Sequence, residues 1–157
     1  MTPDPAMTPD PAMDPPADPD ALARACADAM WAQDRASQGL GMEVVEVGPG
    51  RARLEMVVTE AMLNGHGMCH GGFIFALADS AFAFACNSHG GRVVAQQCGV
   101  TYLRPGKLGD RLVAVAEERA RAKRSGLYDV RVSTPDGEVV AEFRGHSRVV
   151  GASPPPA

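Results

Sequence analysis

Residues 71–87 read GGFIFALADSAFAFACN. Apolar side chains fall on every side of a helical projection of this stretch instead of along one stripe, which predicts a helix buried on most sides. One residue breaks the pattern. Asp79 has only apolar neighbours three and four positions away (Phe75, Ala76, Phe82, Ala83), so nothing on its own helix offsets the cost of taking a carboxylate out of water. Either Asp79 faces a solvent gap or caps neighbouring backbone, or it is a chemical group held at a cleft. The helix alone leaves both readings open.

Outward from this helix the chain reads as strands. Residues 42–59 form a hairpin pattern turning at Gly48-Pro49-Gly50. Residues 92–102, 111–123, 127–133 and 139–150 read as four more strands, parted by Pro105-Gly106, Ser125-Gly126 and Asp136-Gly137. Upstream, Asp18 as N-cap and Pro19 at the first helical position predict a helix of about five turns, with Leu22, Cys26, Met30 and Gln33 on one face, ending at Gly39. A largely antiparallel sheet curled around one buried helix is the economical way to cover residues 71–87. The expected fold class is α+β, a hotdog architecture with an added N-terminal helix.

The chain has 157 residues, enough for one domain with its own core and too few for two catalytic domains. Residues 1–19 hold seven of the thirteen prolines and repeat Met-Thr-Pro-Asp-Pro-Ala, and residues 153–156 read Ser-Pro-Pro-Pro. Such segments remove backbone donors and bury little, so the expected organisation is a disordered tail over 1–19, one domain over 20–150 and a short disordered tail over 151–157. The net charge of −4 belongs to the first tail: residues 1–20 carry five Asp and no Lys or Arg, leaving fourteen acidic groups against fifteen basic ones. A near-neutral body offers no footprint for nucleic acid. Cys26, Cys69, Cys86 and Cys98 form no Cys-x-x-Cys pair, which points to a reducing compartment. No charged n-region followed by an apolar h-region opens the chain, and the longest apolar run, 73–86, is broken by Asp79 and Ser80 and falls short of a membrane span. The expected location is the cytoplasm, with no membrane partner.

The helix is preceded by Asn64-Gly65-His66-Gly67-Met68-Cys69-His70-Gly71-Gly72. A glycine-rich loop running into a helix N-terminus aims unpaired amides at one point, where they can polarise a carbonyl oxygen, and paired glycines let a ligand reach the backbone. Tight helix packing explains Gly71 and Gly72 equally well. His70 orients a carbonyl or water, or is a loop histidine bonded to backbone. His66, Cys69 and His70 are close enough to suggest zinc, but a second ligand pair at zinc spacing is missing, so no metal is expected. Neither Ser80 nor Cys69 lies in a Gly-x-Ser-x-Gly setting that would mark a nucleophile.

Asn64, His70-Gly71-Gly72, Leu77-Ala78-Asp79 and residues 81–87 together resemble the hotdog acyl-CoA thioesterases of the PaaI type, which serve bacterial phenylacetate catabolism. The likeness runs from about residue 21 to 150. It implies hydrolysis of a thioester, of phenylacetyl-CoA or a ring-hydroxylated relative, with no cofactor. Asp79 would then be general base or nucleophile, the Gly71 amide would polarise the carbonyl, and Asn64 and His70 would help place water and thioester. The resemblance further implies a homo-oligomer, commonly a tetramer built from dimers, whose sites combine the loop of one subunit with the aspartate of another.

Coenzyme A is polyanionic, so an acyl-CoA substrate needs local cations. Arg119, Arg121, Lys123 and Arg124 supply four within six residues; Arg121, Lys123 and Arg124 are the expected phosphate contacts, with Arg104, Lys107 and Arg111 nearby. A solvated strand face is the competing explanation. Gly72 and Phe73 are the expected contacts near the acyl group, although large apolar residues here, Phe82 and Phe84 included, also serve as plain core. Two other functions fit the same fold. A hydratase or dehydratase could pair His70 with Asp79, but where that family's pattern wants a second group after the Asp the chain has Phe84. A non-catalytic acyl-CoA-binding protein would ordinarily carry an output module, and none is visible.

Overall fold

The computed structural model describes residues 18–152. The expectations for 1–17 and 153–157 lie outside those residues. The elements run α1 (Pro19–Trp31), α2 (Arg35–Gly39), β1 (Glu43–Gly48), β2 (Arg51–Val57), a short 3₁₀ turn (Glu60–Met62), α3 (Gly71–Cys86), β3 (Gly91–Tyr102), β4 (Arg111–Ala122), β5 (Ser125–Ser133) and β6 (Val139–Ala152). The strands form one antiparallel six-stranded sheet in the order β1-β2-β4-β5-β6-β3, open at β1 and β3.

The sheet curls around α3, which is the hotdog arrangement expected. Ile74, Leu77, Ala78, Ala81, Phe82 and Phe84 are buried against Leu54, Met56, Leu112, Val130 and Phe143 of the sheet. The helix is not covered all round, however. Gly72, Phe75, Ala76, Asp79 and Ala83, at spacings of three and four, remain partly or fully exposed and draw one open stripe along it.

The N-terminal helix departs from the five-turn expectation. Asp18 caps it and Pro19 opens it as expected, but the chain breaks at Gln33 and Asp34. Asp34 is a better cap than a mid-helix residue: its carboxylate accepts from the Ser37 amide at 2.9 Å and starts α2 afresh. Gln33, expected on the same helical face as Leu22, Cys26 and Met30, lies beyond the end of α1 and is exposed. The break lets Ser37, 2% exposed, reach Ser80 on α3, oxygen to oxygen at 2.8 Å.

Two turns show what glycine is used for. Pro49 and Gly50 close the first hairpin as expected, with Gly50 at φ 68°. The β4–β5 turn falls at Lys123 and Arg124, not at Ser125-Gly126, and Lys123 takes the left-handed conformation at φ 54°. Gly126 lies inside β5, where a Cβ would meet Ser147 Oγ at 2.6 Å and the Tyr128 ring at 2.8 Å. That glycine is needed for close packing, which leaves the turn to its neighbours.

Candidate active site

The loop before α3 is organised by its own side chains. Asn64 Oδ1 accepts from the His66 and Met68 amides, at 2.9 and 3.2 Å, and its main chain exchanges with Met68 and Gly67. Its amide oxygen is therefore committed to the loop. His70 is the N-cap of α3: Nδ1 accepts from the Gly72 amide at 2.9 Å. With Nδ1 as acceptor, Nε2 is the ring nitrogen left to donate, and the residue is exposed. Phe73 stands edge-on to the His70 ring, 6.1 Å between centroids, and packs against the core.

Gly71 is the first helical residue. Among the described residues no acceptor is bonded to its N–H, while the neighbouring Gly72 amide is taken by His70. The free amide stands at the positive end of the α3 dipole, where negative charge is stabilised. The Gly71 carbonyl in turn accepts from the Tyr102 hydroxyl at 2.8 Å. Tyr102 lies so close that a Cβ on Gly71 would meet its Cζ at 2.9 Å. A side chain at position 71 would therefore make the Tyr102 ring of β3 shift. Sequence patterning missed Tyr102, whose only signal was its place at the end of an alternating strand.

Beside Gly71, a groove of about 470 Å³ runs between Met68, Ile74, Tyr102, Leu103 and Pro105 and is mainly apolar. It shares Arg104 and Pro105 with a second, polar cleft of about 470 Å³, which holds Lys107 and Arg111 together with Asp110, Asp136 and Glu138. Arg104 pairs with Glu138, and Arg111 with Glu55 at 2.9 Å.

Asp79 lies eight residues along α3 from Gly71, which at 1.5 Å per residue is about 12 Å of helix. It sits on the open stripe. Burial pushes its carboxyl above the ordinary carboxylate range, and a hydrogen bond from the Cys98 thiol of β3, at 3.8 Å, pulls modestly the other way. A partly desolvated carboxylate with one weak donor is a stronger base than an exposed aspartate.

The expected phosphate contacts stand elsewhere. Arg121 pairs with Glu118 at 3.3 Å, and Glu118 already takes hydrogen bonds from Tyr128 and His89 at 2.7 Å each. Arg124 donates twice to the Val149 carbonyl, at 3.2 and 2.9 Å, and Lys123 forms the turn. A bulge between Glu118 and Ala120 also breaks the alternation that would have put Arg119, Arg121 and Lys123 on one face. Val149 is opposite Val93 on β3, nine residues from Tyr102. At about 3.3 Å per residue, this cluster lies roughly 30 Å from the Gly71 end of the same chain.

Among the described residues no three His, Cys, Asp or Glu side chains converge as metal ligands, so His66, Cys69 and His70 are not drawn together. Nor is any described helix long and apolar enough to cross a membrane.

Residues 66–141 match the Thioesterase superfamily. The chain is 44% identical over 127 residues to the acyl-coenzyme A thioesterase PaaI of Escherichia coli K12, covering 81% of this chain and 91% of that protein. The solved structure of the E. coli PaaI protein, from the phenylacetic acid degradation operon, superposes with a TM-score of 0.85 at 42% identity, over 87% of this chain and 99% of that one. A Streptococcus mutans protein solved with acetyl-CoA bound superposes at 0.69 and 28% identity, over 72% and 91%. With the six-stranded hotdog sheet wrapped on α3, these likenesses place the chain: it belongs to the thioesterase superfamily, among the PaaI-type acyl-CoA thioesterases, and is a thioester hydrolase.

Proposed function

We propose that the protein hydrolyses phenylacetyl-CoA or a ring-hydroxylated phenylacetyl-CoA to the free acid and CoA, at a site shared by two copies of the chain. The observation that carries this reading is the placement of the two reacting groups on one helix. The free Gly71 amide and the partly desolvated Asp79 are about 12 Å apart, too far to act on one carbonyl, where reacting groups stand within about 3.5 Å. Two antiparallel copies of α3, facing through their open stripes, would bring the Gly71 of one to the Asp79 of the other. The twelve-residue edge of β3 offers a second unpaired surface for the same contact. A homodimer would complete the site, and two such dimers would pair into the tetramer that the resemblance implies.

In the proposed reaction the thioester oxygen accepts from the Gly71 amide at the helix N-terminus, which makes the carbonyl carbon electrophilic. Asp79 takes a proton from water as the water oxygen bonds to that carbon, or attacks it directly to form an anhydride that water then opens. The tetrahedral oxyanion stays on the Gly71 amide. Its collapse breaks the C–S bond: in the general-base route the departing thiolate takes up the proton held by Asp79, and in the anhydride route it takes up a proton released by the water that then opens the anhydride and frees the Asp79 carboxylate. Balance is met by one water in and one acid plus one thiol out.

His70 and Asn64 serve by shape: one caps the helix that presents the amide, the other ties the loop before it, and the Nε2–H of His70 would donate to water or the acyl group. Gly72 and Phe73, next to Gly71 on α3, would meet the acyl group from the same helix start. The apolar groove beside Gly71 suits an aryl or pantetheine segment. The phosphates would meet Arg121, Lys123 and Arg124 contributed across the subunit boundary, or the nearer Arg104, Lys107 and Arg111. The test is free-thiol release from phenylacetyl-, hydroxyphenylacetyl-, benzoyl- and straight-chain acyl-CoA esters. Preference for the arylacetyl esters is expected, and absence of thiol release from every ester would overturn the reading.

A further inference from the structure

We propose that Cys98 is a positioning residue for Asp79, its thiol fixing the carboxylate while leaving it a strong base; this rests on the reading of Asp79 as the reacting carboxylate.

The strand is built to deliver that thiol. Val93 packs against the core, and strict alternation from it would turn Gln97 to that same side. The register slips between Ala95 and Gln97, and this bulge carries Cys98, Val100 and Tyr102 onto the helix side instead. Cys98 is opposite Gly145, and a Cβ on Gly145 would meet the Phe82 ring at 2.8 Å. The sheet thus closes on α3 one turn beyond Asp79, with Cys98 at the gap.

Among the described residues the Cys98 thiol is the one side chain bonded to Asp79, sulfur to oxygen at 3.8 Å. Burial first, then the Asp79 charge, push the thiol up to about 11, so it is neutral and donates its proton to the carboxylate. A thiol is a weak donor and stabilises the anion less than a hydroxyl or amide would. It can hold a rotamer without sacrificing basicity. The other titratable group sensing Asp79 is Cys86 of α3, itself pushed up to about 12 and neutral; among the described residues no cation pairs with the carboxylate.

Two measurements test the pair. The first is the pH dependence of kcat/KM for wild type, Cys98→Ser and Cys98→Ala. A serine hydroxyl should move the acid limb downward by about half a unit while keeping kcat within about threefold, and alanine should move it upward and lower kcat about tenfold. An acid limb unmoved in both variants would reduce Cys98 to packing. The second needs no turnover: the rate at which iodoacetamide alkylates Cys98 at pH 8.5, in wild type and Asp79→Asn, followed by peptide mass with Cys26 as internal reference. Removing the Asp79 charge should lower the thiol pKa, and a fall of half a unit raises the thiolate fraction and the rate about threefold. Equal rates would overturn the coupling. Coupled alkylation in a protein that releases no thiol from any acyl-CoA would sink the hydrolase reading and leave the Cys98–Asp79 pair standing.

Discussion

Gly71 and Asp79 stand on the same helix, about 12 Å apart, one with a free amide at the positive helix end and the other partly desolvated on the open stripe. From that separation comes the account of a site made from two chains.

Asp79→Asn should lower kcat at least about a hundredfold, the range for loss of a positioned base. The fold should survive, because the folded-state pKa of Asp79 is raised. The sign follows: protonated Asp79 suits the fold, and its contribution is lost as pH rises through the folded value. At pH 7.5 the variant should therefore melt at or above the wild-type Tm, and the difference should vanish below the unfolded aspartate pKa, about 3.9. A wild-type kcat would remove Asp79 from the reaction, and a large fall in Tm would give it a structural role.

Gly71→Ala and Gly71→Pro separate space from hydrogen bonding. Alanine keeps the amide and pushes its Cβ at the Tyr102 ring, a side chain exposed enough to give way. Proline fits the first helical position after an extended His70 but removes the N–H. If the amide holds the oxyanion, proline should cost about a hundredfold or more in kcat beyond alanine. Equal losses in the two variants would assign Gly71 to packing alone.

His70→Asn keeps a good N-cap and His70→Ala does not. Alanine should lower stability by about 1 kcal/mol, roughly 3 °C in Tm, and asparagine by much less. If kcat follows Tm across the two, His70 acts through the helix it caps. A large kcat loss in His70→Asn with normal Tm would assign the imidazole a direct contact with water or substrate.

Neutralising Arg121, Lys123 and Arg124 together should raise KM for an acyl-CoA several-fold with little change in kcat, if they hold phosphates across the subunit boundary. The matching set Arg104, Lys107 and Arg111 is the control. An effect confined to this second set would move the phosphates to the cleft beside Gly71 in the same chain.

Much of the fold was legible because α3 is so unusual: a helix that is apolar on nearly all sides leaves few ways to cover it, and a curled antiparallel sheet is one. Strand positions followed from alternation, and Pro49-Gly50 marked its turn. Gly126 misled because glycine serves close packing as readily as turns, and sequence does not display the Tyr128 ring it admits. The α1–α2 break was hidden because Asp34 reads as a surface helix residue until its cap to Ser37 is seen. At the proposed site, Gly71 and Asp79 stood out by local chemistry, a glycine pair at a helix start and a carboxylate without partners on its own helix. Tyr102 and Cys98 did not, since their inward aim depends on a bulge between Ala95 and Gln97 that no residue pattern announces. The basic cluster at 119–124 looked like one surface, and separate partners disperse it: Asp129 for Arg119, Glu118 of the same strand for Arg121 and the Val149 carbonyl for Arg124.

The most direct test of a shared site is complementation between two inactive variants. Asp79→Asn and Gly71→Pro chains, coexpressed with different tags and assayed for thiol release, should form mixed dimers in which one site carries both lesions and the other carries neither. With random assembly half the dimers are mixed and half their sites intact, so activity should return to about one quarter of wild type. Activity no higher than that of the parent variants, in a preparation shown to contain mixed dimers, would contradict the account.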